Sequence, residues 1–177
     1  MGKLKYRDIN TKRLLLRAPK PSDNVYQFNY MSNPKNFEFA DYKIAKTKTD
    51  IEEFFKSMWR DHLKTSLFWM ICDKNTDQPI GTLSAWNVDY EANSIEFGYS
   101  IYPKYREKGY MYEVLTKVVD FCYKELEFTV FDIWTDKANK PSIDLAIKLG
   151  FEFKGFVDEP AKNSNTIITY ATYQLKK

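Results

Sequence analysis

The spacing of the apolar residues changes at Pro103, and no other pattern in the chain says as much about its fold. Before Pro103, the segment Ser94–Ile101 alternates apolar and polar residues, which is the two-residue period of a β-strand with one buried face. After it, apolar residues recur at helical spacing from Met111 to Leu126, which predicts a long amphipathic helix. A strand that leads through a short loop into a long helix indicates an α/β domain.

The rest of the chain divides into segments of the same two kinds. Leu67–Cys72 is an apolar run of strand length, and turn residues separate it from Ile80–Val88, so these two segments are expected to form a hairpin. The pattern as a whole predicts an α/β domain around a mixed sheet. The other predicted strands are 11–17, 129–134, 151–157 and 166–175, and the other predicted helices are 21–31, 48–63 and 141–149.

Composition narrows the class of protein. The 177 residues suit one domain, residues 1–177, with a core of its own. No apolar run approaches the roughly 20 residues that span a bilayer, and the N-terminus lacks the apolar stretch of a signal peptide, so we expect a cytoplasmic protein without a membrane partner. A net charge of +3, with basic and acidic residues mixed, argues against nucleic acid as a partner. His62 is the only histidine, which excludes a Ser-His-Asp triad and multi-histidine sites, and no metal is expected.

The loop between the Ser94–Ile101 strand and the long helix is the strongest candidate for a binding site. The first N–H groups of a helix lack intrahelical partners and carry partial positive charge, so a strand–glycine–helix junction suits an anion such as a pyrophosphate. Gly109 allows close approach of the backbone, and Arg106 and Lys108 add charge. The alternative from these residues alone is an ordinary turn with basic surface side chains, since the loop is neither a Walker A loop nor a GxGxxG turn.

Four segments of the chain resemble known motifs. They are Thr11–Arg17, Ile95–Tyr99, Arg106-x-x-Gly109-x-Met111, and Asn139-x-x-Ser142 followed by Lys148-Leu149-Gly150-Phe151 and Gly155. The second and third resemble the E-I-G-Y strand and the Arg/Gln-x-x-Gly-x-Gly/Ala pyrophosphate motif of the GNAT acetyltransferases. The first and fourth resemble the ribosomal-protein alanine acetyltransferase (Rim-type) branch of that family. The resemblance spans residues 10–175.

The resemblance implies both a fold and a reaction. The fold is the GNAT fold of the α/β (α+β) class, with a mixed, largely antiparallel central sheet of about six to seven strands and flanking helices. The reaction is N-acetyl transfer from acetyl-CoA to a primary amine by direct attack. Acetyl-CoA is then a co-substrate, the amine acceptor is the other partner, and a homodimer stays open.

The resemblance also implies where the donor binds. Backbone amides of the loop and the helix start would hold the pyrophosphate, and the pantetheine arm would pair along Ser100 and Ile101. That pairing requires an open strand edge where the 94–101 and 129–134 strands part. Asn139 would hydrogen-bond the arm, with a plain helix cap as the alternative. The predicted donor-binding residues are Ser100, Ile101, Arg106, Glu107, Lys108, Gly109, Tyr110, Met111, Asn139 and Ser142.

Two residues are predicted to be catalytic. Glu96 interrupts an otherwise apolar strand, where burial would raise its pKa toward the range of a general base. The alternatives are a glutamate on a solvated face, a glutamate that orders a neighbouring loop, and proton removal by water. Many relatives carry a tyrosine at the position of Ala146 that protonates the departing thiolate. In the Rim-type branch the serine of the N-x-x-S motif is a proposed substitute, so the resemblance implies Ser142 as the acid or hydrogen-bond donor, with a hydroxyl that satisfies a free backbone N–H as the alternative.

Other side chains near the motifs are expected to pack rather than react. Met111 stands where the family usually has glycine or alanine, but it opens the apolar stripe of the helix, so its side chain should point into the core. Tyr99, Tyr110 and Trp134 are also assigned to packing.

Two other functions stay open. Loss of the acid at position 146 would leave a non-catalytic acyl-CoA-binding regulatory domain. The cradle alone would suit a nucleotide-phosphate-binding protein, although no Walker lysine or metal-binding acid pattern is present. The acceptor is open among a protein N-terminus, a polyamine, an amino sugar and an aminoglycoside. Its predicted pocket lies between residues 24–61 and 158–165, whose acidic side chains could attract a cationic amine.

Overall fold

The computed structural model describes residues 4–60, 62–163 and 165–177. Predictions that involve Met1–Lys3, Asp61 and Ser164 therefore lie outside the described residues. The strands are β1 (Ile9–Asn10), β2 (Leu14–Arg17), β3 (Leu67–Asp73), β4 (Pro79–Asp89), β5 (Ser94–Ile101), β6 (Val130–Asp136), β7 (Glu152–Pro160) and β8 (Ile167–Lys176), and the helices are α1 (Asn24–Met31), α2 (Lys48–Arg60), α3 (Tyr110–Leu126) and α4 (Lys140–Lys148).

All eight strands form one sheet in the order β1-β2-β3-β4-β5-β6-β8-β7. Neighbouring strands are antiparallel except for β5 and β6, which are parallel. Helix α3 connects that pair, because two parallel neighbours need a crossover segment between them. The predicted mixed, largely antiparallel sheet with flanking helices is confirmed, with one strand more than the upper expected number.

The parallel pair β5–β6 is joined only at its beginning. Three residue pairs are in register, Ser94–Val130, Ile95–Phe131 and Glu96–Asp132. Beyond Glu96, β5 continues to Ile101 with β4 on one side and, within the described chain, no strand on the other. An open edge about 17 Å long therefore begins inside the sheet and runs toward the start of α3.

The alternation of the backbone decides which residues face this open edge. The Tyr102 N–H donates to the Ile80 carbonyl at 2.8 Å, so the backbone of Tyr102 faces β4. The Ser100 carbonyl also faces β4, since a β-carbon built on Gly81 would lie 2.2 Å from it. Successive residues of a strand turn their backbone groups to opposite sides. The backbone groups of Phe97, Tyr99 and Ile101 therefore face the open edge.

Helices cover both faces of the sheet. On one face, α3 contributes Met111 and the rest of its apolar stripe to the largest core cluster, together with Ile95 and Phe97 of β5. On the other face, Phe68 and Met70 of β3 pack against aromatic residues of α2. Of the helices that the structure describes, none is both long and apolar enough to cross a membrane.

Several predicted boundaries were wrong. The helix expected over 21–31 is α-helical only from Asn24, after a 3₁₀ turn at Pro21–Asp23, and the strand expected over 151–157 continues to Pro160. The segment 11–17 contains a tight turn, in which the Thr11 N–H donates to the Leu14 carbonyl at 2.9 Å. Strand β2 therefore starts only at Leu14, and the residues before the turn form the additional strand β1. The helix expected over 48–63 ends at Arg60, because Leu63 has a φ of 65°, a left-handed conformation that a right-handed helix cannot include.

Replacing Met111 with glycine should cost stability. Its side chain is 8% exposed and lies in the main core, so the loss of the buried side chain and the low helix propensity of glycine together should destabilise the protein by about 2–5 kcal/mol. Chemical denaturation measures the change. Lys117→Gly, at an exposed position of the same helix, should cost only about 1 kcal/mol, and equal losses in the two variants would contradict a core position for Met111.

Candidate active site

Gly109 and the first turn of α3 form a cradle of backbone amides. Gly109 has a φ of 72°, a left-handed conformation that glycine adopts without strain, and Glu107 also has a positive φ, 61°. The first helical hydrogen bond runs from the Glu113 N–H to the Gly109 carbonyl at 3.2 Å, so the amides of residues 110–112 have no acceptor within the helix. A β-carbon built on Gly109 would meet only Arg13 Nη2, at 3.7 Å. Gly109 thus leaves the backbone accessible, and free amides at a helix start are suited to an anion such as phosphate.

Arg13 holds this cradle in place, a role that sequence patterns did not indicate. Its Nη1 donates to the Lys108 carbonyl at 2.9 Å, its Nε donates to Glu113 Oε2 at 2.7 Å, and its guanidinium lies 4.3 Å from the centre of the Tyr110 ring. Burial raises the pKa of Glu113, but hydrogen bonds from Thr11 and Arg13 outweigh it and hold the pKa below its usual range. An ionised Glu113 therefore holds Arg13 against Lys108 and Tyr110, the two residues that flank Gly109.

The basic side chains of the loop do not all point at the cradle. Arg106 Nε donates to the Ile101 carbonyl at 3.4 Å. Burial raises the pKa of Tyr30, and the nearby Arg106 guanidinium lowers it, which also places Arg106 beside Tyr30. Arg106 thus folds back over the end of β5, where it finds acceptors, rather than extending toward the helix start. Lys108 is exposed at the rim of the cradle.

The predicted pairing of an extended arm with Ser100 and Ile101 is corrected for Ser100. The carbonyl of Ser100 faces β4, and its hydroxyl lies 2.9 Å from Thr82 Oγ1. Ile101 does face the open edge. A ligand that pairs with this edge as a strand would meet the backbone groups of Phe97, Tyr99 and Ile101, because these residues alternate with those bound to β4.

Glu96 lies at the last paired position of β5, where the open edge begins. Its side chain is 7% exposed, and Asn87 Nδ2 donates to its Oε2 at 3.1 Å. Burial raises the pKa of Glu96 to about 7; the Asn87 hydrogen bond lowers it, and the neighbouring Asp132 carboxylate raises it. A carboxyl group with this pKa can accept a proton near neutral pH. The burial expected for Glu96 is confirmed, and its role as a base stays a prediction.

Ser142 lies in the first turn of α4 and is 8% exposed. Asn139 caps this helix, since its Oδ1 accepts from the Ser142 N–H at 3.4 Å. The Asn139 Nδ2 group makes no hydrogen bond within the described part of the chain, so it stays available to a ligand. One turn further, Ala146 is completely buried in the main core.

The hydroxyl of Ser142 does not cap its helix but contacts Tyr99. Tyr99 Oη and Ser142 Oγ are 2.8 Å apart, although the two residues are separated by 43 positions in the chain. Burial raises the pKa of Tyr99 to about 12 and the hydrogen bond to Ser142 lowers it, so the phenol stays protonated at neutral pH. Because Glu96 and Tyr99 alternate on β5, the carboxyl group and the two hydroxyls lie on opposite faces of the sheet.

The sheet face that carries Glu96 is lined by aromatic and acidic side chains. Trp86, 41% exposed, lies opposite Glu96 on β4. Across the open edge, the ring centres of Trp134 and Tyr170 are 6.3 Å apart. Asp132 of β6 pairs with Glu96 of β5, and burial raises the pKa of Asp132. Within the described residues, no group of three or more His, Cys, Asp or Glu side chains is placed to hold a metal ion.

Asp41 joins the two segments that were predicted to form the acceptor pocket. Its carboxylate accepts hydrogen bonds from the backbone N–H groups of Lys162 and Asn163, and Asn163 Nδ2 donates to the Asp41 carbonyl at 2.9 Å. Asp41 belongs to the connection between α1 and α2, whereas the other two residues belong to the turn between β7 and β8. Both segments are thus fixed to each other beside the Glu96 face of the sheet.

Known proteins resemble this chain in sequence and in architecture. The acetyltransferase (GNAT) domain family matches residues 13–152. An uncharacterized N-acetyltransferase, p20, from Bacillus licheniformis is 27% identical over 174 residues, 96% of each chain. A spermidine N-acetyltransferase from Vibrio cholerae, solved in complex with CoA and spermine, superposes with a TM-score of 0.78 at 18% identity, over 93% of this chain and 95% of that one. A ribosomal alpha-N-protein acetyltransferase (RimL) in complex with coenzyme A gives 0.82 at 16% identity, over 96% and 98%. With the family match covering most of the chain, this protein belongs to the GNAT acetyltransferase family.

Proposed function

We propose that this protein transfers an acetyl group from acetyl-CoA to a primary amine by direct attack. The observation that carries the proposal is the position of Glu96, a buried carboxyl group with a pKa of about 7, at the point where the open edge of β5 begins. The amide cradle at the start of α3 lies at the other end of the same edge. A non-catalytic acyl-CoA-binding domain would use the edge and the cradle, but it would have no use for a base at the end of the edge that lies away from the cradle.

Acetyl-CoA supplies the acetyl group as a thioester, and three sets of groups would hold it. The amides of residues 107–112 fit the pyrophosphate. Backbone groups of Tyr99 and Ile101 on the open edge suit the amides of the pantetheine arm, which is extended like a strand. The Asn139 Nδ2 group offers a further hydrogen bond from the start of α4. Together these groups would place the thioester beside Glu96.

Glu96 is proposed as the general base. An amine with a pKa near the lysine value of about 10.4 is mostly protonated at neutral pH and cannot attack. Glu96 would take the proton, and the neutral nitrogen would then attack the thioester carbon from the sheet face that carries Glu96. Ser142, which lies on the opposite face with Tyr99, would donate a hydrogen bond to the sulfur as the negative charge develops on it.

The acceptor that fits this face is a cationic amine. Aromatic rings and carboxylates both attract cations, and Trp86, Trp134, Tyr170 and Asp132 surround the approach to Glu96. The similar solved proteins include a spermidine N-acetyltransferase and a ribosomal alpha-N-protein acetyltransferase. The Rim-type motifs at 11–17 and 139–151 favour a protein N-terminus over a polyamine.

An acceptor panel tests the proposal. Purified protein is incubated with acetyl-CoA and, separately, N-terminal peptides of ribosomal proteins, polyamines, amino sugars and aminoglycosides, and both CoA release and product mass are measured. At least one class should be acetylated with one CoA released per product. Tight binding of acetyl-CoA without transfer to any of these amines would support the non-catalytic domain instead.

CoA should stabilise the protein more than dephosphorylated pantetheine does, because the cradle binds phosphate. Ligand at about 100 times its dissociation constant adds roughly 2.7 kcal/mol to the free energy of unfolding. Thermal melting with equal concentrations of the two compounds measures the difference. Equal shifts would show that the phosphates do not contribute to binding.

A further inference from the structure

The Tyr99–Ser142 pair is the one contact between hydroxyl-bearing side chains that lies next to both the open edge and α4. Tyr99 uses its backbone on the edge and its side chain on the face that α4 covers. Its hydroxyl oxygen lies 2.8 Å from Ser142 Oγ, and no other hydrogen-bond partner of either hydroxyl is found in the part of the chain that the structure describes. The pair is therefore isolated from the rest of the protein's polar groups.

Burying a phenol is unfavourable unless its hydroxyl is hydrogen-bonded. A buried hydroxyl without a partner costs about 1–3 kcal/mol, and phenylalanine would pack against the main core from the same half-buried position without that cost. Packing alone therefore does not explain why this position carries tyrosine rather than phenylalanine. Among the described residues, Ser142 is the only hydrogen-bond partner of this oxygen.

The direction of this hydrogen bond determines where the serine proton points. A serine hydroxyl rotates freely and, in a helix, can turn back to a carbonyl of the preceding turn. If Tyr99 donates, Ser142 Oγ becomes an acceptor on that side, and its own proton is directed elsewhere. Hydrogen bonds in such a chain also polarise one another, so a hydroxyl that accepts one bond donates a stronger one.

We propose that Tyr99 is a positioning residue, whose hydroxyl donates to Ser142 Oγ and thereby directs the serine proton at the departing sulfur. This inference rests on the proposed function, since it requires that Ser142 face the leaving thiolate. No proton leaves Tyr99 in this step, and both hydroxyls act as hydrogen-bond donors. The raised pKa of Tyr99 agrees with this, because a phenol that stays protonated remains a donor throughout the reaction.

A double-mutant cycle tests the proposal in the active enzyme. Tyr99→Phe removes only the hydroxyl and should lower kcat about 3- to 10-fold, with the KM for acetyl-CoA unchanged, because the thiolate charge exists only in the transition state. Ser142→Ala should lower kcat about 10- to 100-fold. In the Ser142→Ala background, Tyr99→Phe should have no further effect, since Tyr99 acts only through the serine.

Tyr173→Phe is the matched control. Tyr173 is 6% exposed and belongs to the core cluster against which Tyr99 packs, and no hydrogen bond joins it to Ser142 in the described part of the chain. It should leave kcat unchanged, and the melting temperatures of all variants show whether the fold is retained.

Three results would overturn the inference, and they differ in what else they affect. An unchanged kcat in Tyr99→Phe, with a reduced kcat in Ser142→Ala, would remove the role of Tyr99 and leave the proposed mechanism intact. Equal losses from Tyr99→Phe in both backgrounds would show that it acts without Ser142. An unchanged kcat in Ser142→Ala would show that neither Ser142 nor Tyr99 takes part in the mechanism.

Discussion

Glu96→Gln should lower the rate of acetyl transfer about 100-fold at neutral pH, the size of effect expected when a general base is lost. The wild-type rate should level off above pH 7, because the pKa of Glu96 is about 7. The variant depends on the small neutral fraction of the acceptor, so its rate should keep rising with pH until the acceptor's own pKa. The ratio of the wild-type rate to the variant rate is then constant below pH 7 and falls above it.

Asp132→Asn is the matched control for this measurement. The Asp132 carboxylate helps to raise the pKa of Glu96, and asparagine can keep the hydrogen bond from Gln174. The bend in the pH–rate profile should therefore move to lower pH without disappearing. A wild-type profile retained in Glu96→Gln would assign the removal of the proton to water.

Glu96→Gln should also stabilise the protein at high pH. Burial raises the pKa of Glu96 in the folded state to about 7 from its ordinary 4.5, so folding favours the protonated form. The wild type therefore loses stability as pH rises from 4.5 to 7, whereas glutamine has no proton to lose. The gain in Glu96→Gln should reach about 3 kcal/mol above pH 7 and vanish near pH 4. Denaturation at several pH values measures it, and a gain independent of pH would mean that Glu96 is not held in a desolvated site.

Gly109→Glu should abolish CoA binding while the protein stays folded. The new side chain would occupy the open space above the amides of residues 110–112 and bring a negative charge to the phosphate site. A loss of at least about 100-fold in affinity corresponds to about 2.7 kcal/mol, and calorimetric titration with CoA measures it. Wild-type affinity in this variant would place the phosphates somewhere else.

Two controls separate charge, strain and blocking at this position. Gly109→Ala adds only a β-carbon, 3.7 Å from Arg13 Nη2, and tests the cost of a side chain at a φ of 72°. It should weaken CoA binding far less than glutamate does. Lys117→Gln changes the net charge by the same amount two turns along α3, and it should leave CoA affinity nearly unchanged.

Periodicity predicted the local structure well where one face of an element is buried. The bounds of β5 were predicted without error, and α3 began within one residue of its predicted start. The extra strand β1 was missed because it has only two residues, too few to show alternation. Helix α2 was extended too far because its apolar spacing continues to Leu63, whose backbone is left-handed.

The candidate site was harder to predict, because it depends on which residues meet across the fold. Alternation on β5 showed that Glu96 and Tyr99 lie on different faces, but it could not show that Tyr99 reaches Ser142. It also could not show which backbone groups face the open edge, since that depends on how β5 pairs with β4. For the same reason the contact of Arg13 with Lys108, 95 positions away, had no signal in the sequence.

The place where β5 and β6 part also bears on how the protein can expose unpaired backbone groups without inviting other chains to pair with them. An exposed strand edge at the border of a sheet invites pairing with another chain and is a common origin of aggregation. Here the unpaired edge lies within the sheet, between two strands that remain joined at Glu96 and Asp132 and are each paired on their outer side. A strand from another molecule would have to enter this wedge along its whole length, whereas a thin, flexible arm can slide in from the open end. The protein thus keeps a strand edge free for a small ligand with little risk of self-association through it.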